Sequence, residues 1–142
     1  MNSTVNDKVL EEVESLHRFF EGWFSGTLPQ SELESEFLGR FEPGFVLISP
    51  TGGILTLKEL AASLLASHGT SPDFRISIDH VKVRSVSGGH ILATYEEWQQ
   101  GGLASAQGKN ARITTVVFSD VEPLRWAHVH ETSIPVDGAA KS

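Results

Sequence analysis

Trp126, His128, His130 and Thr132 stand at every second position of the stretch 124–134. A strand sends alternate side chains to opposite faces, so this spacing predicts all four on one wall, with Ala127, Val129 and Glu131 on the other. Two imidazoles on one face beside a Trp make a titratable wall. The expected chemistry is general acid and base work near neutral pH by His130 and His128, or the orienting of a ligand. The other reading of the pair is two hydrogen-bonded structural histidines. A His-x-His pair can also ligate a metal, but that needs a third ligand from Glu96 or Glu97, and no spacing in the chain fixes either beside the histidines. No metal is predicted.

Tyr95-Glu96-Glu97-Trp98-Gln99 is the second stretch with chemical content. On a strand Ile91, Ala93, Tyr95 and Glu97 share one face, and Thr94, Glu96 and Trp98 the other. Tyr95 joins the two histidines as a predicted catalytic residue. One of the two glutamates points inward, and a buried carboxylate needs a partner. Arg112 is the candidate for Glu97; the alternative is an exposed ion pair at the rim of a sheet. The predicted ligand wall takes Trp126, Thr132, Glu97 and Arg112 from strands and Phe20, Trp23 and Phe24 from a helix, the last three serving as core as well. A mostly aromatic pocket with a few polar groups suits a small organic molecule, a carboxylate or an enolisable carbonyl compound. Gly52-Gly53, Gly88-Gly89 and Gly101-Gly102 lack the context of a phosphate loop, and no Ser sits in a nucleophile-elbow pattern. No cofactor is predicted.

These residues need a scaffold. The chain has 142 residues, 39% of them hydrophobic, which predicts one domain with an ordered core over about 6–135 and a frayed tail at 136–142. A formal charge of −7 argues against nucleic acid and anionic membrane surfaces as partners. The chain contains no Cys, so thiolate nucleophiles and disulfides are excluded. Neither a leader pattern nor an apolar run of membrane-spanning length is present, and a cytoplasmic location is expected.

Val9, Val13, Leu16, Phe20, Trp23 and their neighbours recur at three- and four-residue steps, predicting a helix over 6–24 that Gly26 stops. A short connecting helix is expected over 29–35. Phe45 to Ile48 reads as a strand buried on both faces, turning at Pro50 to Gly53 into a second short strand, Ile54-Leu55. Thr56-Leu57-Lys58-Glu59 is a capping box that starts a helix reaching His68 and Gly69. His68 is expected as a charge at that helix's C-terminus. From Phe74 the period is two, with a phase slip across Asp79-His80 that predicts a bulge and a curved sheet. Ser87 to His90 is a turn, and 91–100, 110–119 and 124–134 complete an antiparallel meander, with a small-residue loop over 101–109 at the mouth of a site. Apolar residues on both registers, Ile113 and Val117 against Val116 and Phe118, predict that the uncovered sheet face packs in a homodimer.

This order of elements is α+β, with helices on one face of a strongly curved antiparallel or mixed sheet wrapped around the first helix. It resembles the cone-shaped superfamily of nuclear transport factor 2, ketosteroid isomerase and the SnoaL-like cyclases. The ending Trp126-Ala127-His128-Val129-His130-Glu131-Thr132-Ser133 is similar to that of small SnoaL-like proteins and of the association domain of calcium/calmodulin-dependent kinases. The resemblance implies a cystatin-like cone and a pocket inside it. Its implied activity is an isomerase, cyclase or dehydratase; the alternative is a non-catalytic ligand-binding or oligomerisation domain. The acid–Tyr set of the isomerases, the Asp-Arg-Asp relay of the epoxide hydrolases and the His pair of a dehydratase do not map residue by residue onto this chain.

Overall fold

A computed structural model describes residues 4–101 and 109–135. The loop expected over 101–109 and the tail expected to fray after Pro135 lie for the most part outside the described residues. The chain runs α1 (Val5–Ser25), two short 3-10 turns flanking α2 (Leu33–Glu36), β1 (Phe41–Ile48), β2 (Ile54–Thr56), α3 (Leu57–Ser67), β3 (Arg75–Ser87), β4 (His90–Gln100), β5 (Lys109–Ser119) and β6 (Arg125–Ile134).

The helix ends are closed by local hydrogen bonds, of which the Gly26 stop and the Thr56 box are those the sequence predicts. Thr4 caps α1 by accepting from the Asp7 amide at 3.0 Å, and Gly26, at φ 87°, closes it by returning its amide to the Trp23 carbonyl. Thr56 and Glu59 form the reciprocal capping box of α3. His68 donates its Nε2 proton to the Leu28 carbonyl at 2.6 Å and lies edge-on to Trp23, so it ties α3 to the α1–α2 connection. The turn between β3 and β4 places Gly88 and Gly89 at positive φ, the conformation a two-residue hairpin needs.

The six strands form one sheet in the order β2-β1-β6-β5-β4-β3, all neighbours antiparallel except β1 and β6. The first strand is longer than its apolar run: it starts at Phe41, passes Pro43-Gly44 through a register shift and continues to Ile48. Nor is it buried on both faces. Phe45 is buried, while Val46 and Ile48 keep partial exposure on the uncovered outer face and Leu47, on the inner face with Phe45, borders a cavity. The slip at Asp79-His80 is present as a register shift between Asp79 and Lys82, with His80 at φ 55°, and a second shift follows at Val83/Ser85. These irregularities let the sheet curl around α1, whose Val9, Val13, Leu16, Phe19 and Trp23 are buried against it. No helix of the described residues is long and apolar enough to cross a membrane.

Candidate functional site

The inner face of the sheet reads as rungs across β4, β5 and β6. The lowest are apolar: Ile91, Phe118 and Trp126, then Ala93, Val116 and Val129. Above them come Tyr95, Thr114 and Glu131, then Glu97 and Arg112, then Gln99 and Asn110. Period two along three strands therefore turns a hydrophobic floor into a polar wall within one sheet face.

That wall borders a cavity of about 460 Å³ between the sheet, α1 and α3. Phe20, Phe24, Phe45, Leu60 and Trp126 are among its apolar lining, and His17, Tyr95, Glu97, Arg112 and Glu131 supply its titratable groups. The open end is edged by Ser49, Pro50, Ser63 and Ser67.

His17 and Glu97 form a closed pair. The His17 Nδ1 proton goes to the Val13 carbonyl at 2.6 Å, and Nε2 meets Glu97 Oε1 at 3.0 Å, both groups being buried. Gln99 donates to the other Glu97 oxygen. Burial works against ionisation of Glu97, but the His17 charge and hydrogen bond, with Arg112 and Gln99, outweigh it and hold the carboxyl below its usual range. The two ring nitrogens of His17 are thus both engaged, one by the Val13 carbonyl and one by Glu97.

Arg112 and Glu131 form the second pair, at 3.0 Å from Nη1 to Oε1. Arg112 Nη2 donates to Asn110 Oδ1, and the buried Nε has no partner. Burial and then the Glu97 charge push the Glu131 carboxyl up to about 7, with Arg112 and His17 opposing. Tyr95 is driven well above its ordinary value, by burial first and by the two carboxylates next, and so stays a neutral donor.

Tyr95, Glu97, Arg112, Trp126, Phe20 and Phe24 thus line one cavity, and of the two glutamates it is Glu97 that faces inward. Arg112 lies opposite Glu97 in the ladder but spends its hydrogen bonds on Glu131 and Asn110, a different partner from the one expected.

His128, His130 and Thr132 are placed elsewhere. The register shifts between Val117 and Phe118, so that Phe118 faces Trp126 while Val117 faces His128, and Ala127 is the extra residue. A bulge moves every later side chain to the other face. Trp126 therefore shares the inner face with Val129 and Glu131, and the two histidines and Thr132 lie together on the outer one. Trp23 is also off the cavity: it is fully buried, stacked on Phe19, and donates to the Leu64 carbonyl at 2.7 Å. Trp126 is fixed by Glu12, which accepts its indole proton at 2.8 Å and pairs with Arg40 at 2.7 Å.

His17 and Glu131 were not among the predicted site residues. His17 carried a signal, a lone imidazole on the apolar stripe four residues after Val13 and three before Phe20. A donor set suited to a metal occurs on the exposed side, where ligand atoms of Asp79, His80 and Glu96 lie within 4.8 Å of one another at the β3 bulge.

Solved structures share this cone. An NTF-2-like protein of unknown function from Pseudomonas aeruginosa is 25% identical, with a TM-score of 0.80 over 90% of this chain and 99% of its own. The CaMKII hub of S. rosetta matches at 13% identity and a TM-score of 0.73 over 94% and 100%. A provisionally assigned ketosteroid isomerase from Shewanella frigidimarina matches at 15% and 0.62 over 88% and 94%. Curled mixed sheet and wrapped helix are those of an NTF2-like protein. Within that fold the chain belongs to the family described as Sucrose-6-phosphate phosphohydrolase C-terminal, whose profile matches residues 9–135. No curated protein matches the sequence.

Proposed function

We propose that the cone binds a small, largely apolar organic molecule and that Glu131 exchanges a proton with it. The observation that carries this reading is a carboxyl that titrates near neutrality beside a neutral Tyr95, at the polar end of an aromatic cavity. A group of that kind is half ionised at working pH, so it can give or take a proton with little loss in either direction. Tyr95 is placed to donate to negative charge developing on a substrate oxygen, and the His17–Glu97 pair holds the wall in register. Isomerisation, cyclisation and dehydration of a carbonyl compound need no more than this. The proton-transfer role passes from His128 and His130 to Glu131 and Tyr95, because the histidines do not reach the cavity.

The test has two parts. A thermal-shift screen of small acids, ketones and alcohols should find stabilising compounds, and sucrose 6-phosphate, named in the family's description, should not be among them, because one Arg already paired with Glu131 is a poor match for a dianion and many hydroxyls. Solvent deuterium should then exchange into the α-position of a bound ketone, and Glu131→Gln should abolish that exchange. A screen without hits removes the small-molecule reading, and exchange that survives Glu131→Gln removes the assignment of the acid–base group.

A second reading concerns assembly. The outer sheet face presents Leu92 at 37% and Ile113 at 43% exposure, with Val46, Ile48 and Val117 partly open around His128 and His130. We propose that two copies pack through this face, a reading that the likeness to hub and association domains supports. Light scattering should give about twice 15.5 kDa.

A further inference from the structure

Four ionisable groups meet around the cavity: His17 from α1, Glu97 from β4, Arg112 from β5 and Glu131 from β6. The only other polar residues lining it among the described residues are Tyr95, Gln99 and the serines at 49, 63 and 67. With all four ionised the charges cancel. The two pairs differ in how freely they can change partners. His17 is spent on Val13 and Glu97, and both Glu97 oxygens are taken by His17 and Gln99. Arg112 keeps a donor direction open at Nε, and the hydrogen bond that holds Glu131 comes from that same guanidinium.

We propose that the cavity takes a small organic monocarboxylate whose anionic head binds Arg112 in place of Glu131, and that Glu131 takes up one proton from solvent as the ligand enters. The inference rests on the small-molecule reading of the cavity. One anion and one proton enter together, so the buried wall gains no net charge, and the carboxylate restores the balance that protonation of Glu131 would upset. Arg presents its donors in a fork that matches a carboxylate. Proton uptake costs little, since burial already brings Glu131 to about 7. The charged and titratable groups that face Glu131 are Arg112 on β5, Glu97 and Tyr95 on β4 and His17 on α1, while the lining residues of α3 are uncharged. Beyond the polar rungs the lining is mainly apolar, with Phe20, Phe24, Phe45, Leu60 and Trp126 among it, which suits an aryl or alkyl body better than a sugar or a second charge.

The probes are 3-phenylpropanoate and its neutral amide, titrated by calorimetry into the wild type and Glu131→Gln at pH 6 and pH 8. Wild-type affinity for the acid should fall about tenfold between the two pH values, following the protonated fraction of Glu131. At pH 8, heats in two buffers of different ionisation enthalpy should show close to one proton taken up. Glu131→Gln should bind the acid equally at both pH values, and the amide should bind the wild type more weakly with no pH dependence. If the variant does not fold, the proton count on the wild type decides alone. Equal binding of amide and acid, or acid binding without proton uptake, overturns the proposal while the cavity remains a small-molecule site. Binding of neither compound, together with a screen without hits, overturns both.

Discussion

His17 and Glu97, eighty residues apart in sequence, meet at 3.0 Å beneath α1 with both side chains out of water. The pair locks the first helix to the middle of the sheet, and neither member has a solvent route to compensate for loss of the other. His17→Leu should therefore lower stability by about 3–5 kcal/mol, much of it the cost of leaving Glu97 buried and unpaired. Urea unfolding of His17→Leu, Glu97→Leu and the double variant checks this. The double variant should recover most of the loss, and additive losses would show that the two groups do not act as a pair.

Glu131 makes stability depend on pH in the opposite sense to Glu97. Its folded value, about 7, lies above that of the unfolded chain, so the native state holds the extra proton between roughly pH 4.5 and 7. The stabilisation is complete below that window and is lost as pH rises through 7, by a total of about 3 kcal/mol. The contribution of Glu97, whose value is lowered, is present above the ordinary carboxylate range and is lost on acidification. Glu131→Gln cannot titrate, so its urea midpoint should gain on the wild type as pH rises from 5 to 8. A constant difference over that range would refute the burial argument.

The bulge at Ala127 gives a prediction for the histidines. Because His128 and His130 lie on the face away from the cavity, replacing either with Ala should leave stabilisation by a cavity ligand unchanged and move monomer stability by less than about 1 kcal/mol. Thermal shift with and without 3-phenylpropanoate separates this from Phe20→Ala, which removes cavity wall and should weaken the ligand effect.

Ile113→Glu tests the outer face. A charge placed in the middle of a packed apolar interface should halve the mass found by light scattering and leave the monomer's secondary structure intact. An unchanged mass would move the interface elsewhere.

Much of this architecture could be read from local signals. The capping box at Thr56, the Gly26 stop, two-residue periodicity and the slip at Asp79-His80 are written in adjacent residues, and each of them set the element expected. The face of Tyr95 and Glu97 followed from uninterrupted alternation on β4. The face of His128 and His130 did not follow, because the extra residue at Ala127 is visible only against the register of β5: Trp126-Ala127-His128 reads as perfect alternation when taken alone. Phase inferred within one strand is safe only where the neighbouring strand keeps step. Glu131 was missed for the same reason, since its face was assigned relative to Trp126. His17 was masked by the aromatic residues around it, and its role depends on a partner eighty positions away.

The parallel pairing of β1 with β6 also has a consequence for how the protein comes to be folded. It joins residues 41–48 to residues 126–130 in the middle of the sheet, so the short side of the cone cannot dock until residues 126–130 have been synthesised. Before that, α1 and the β3–β5 meander can associate and bring His17 to Glu97, but Arg112 has no Glu131 and the floor has no Trp126. Contacts of such long sequence separation form slowly because the intervening loop must be closed first. The cavity is thus completed by β6, the last of these six strands to be made, and a nascent chain arrested before it would expose Phe118 and Val116 to the solvent and to chaperones.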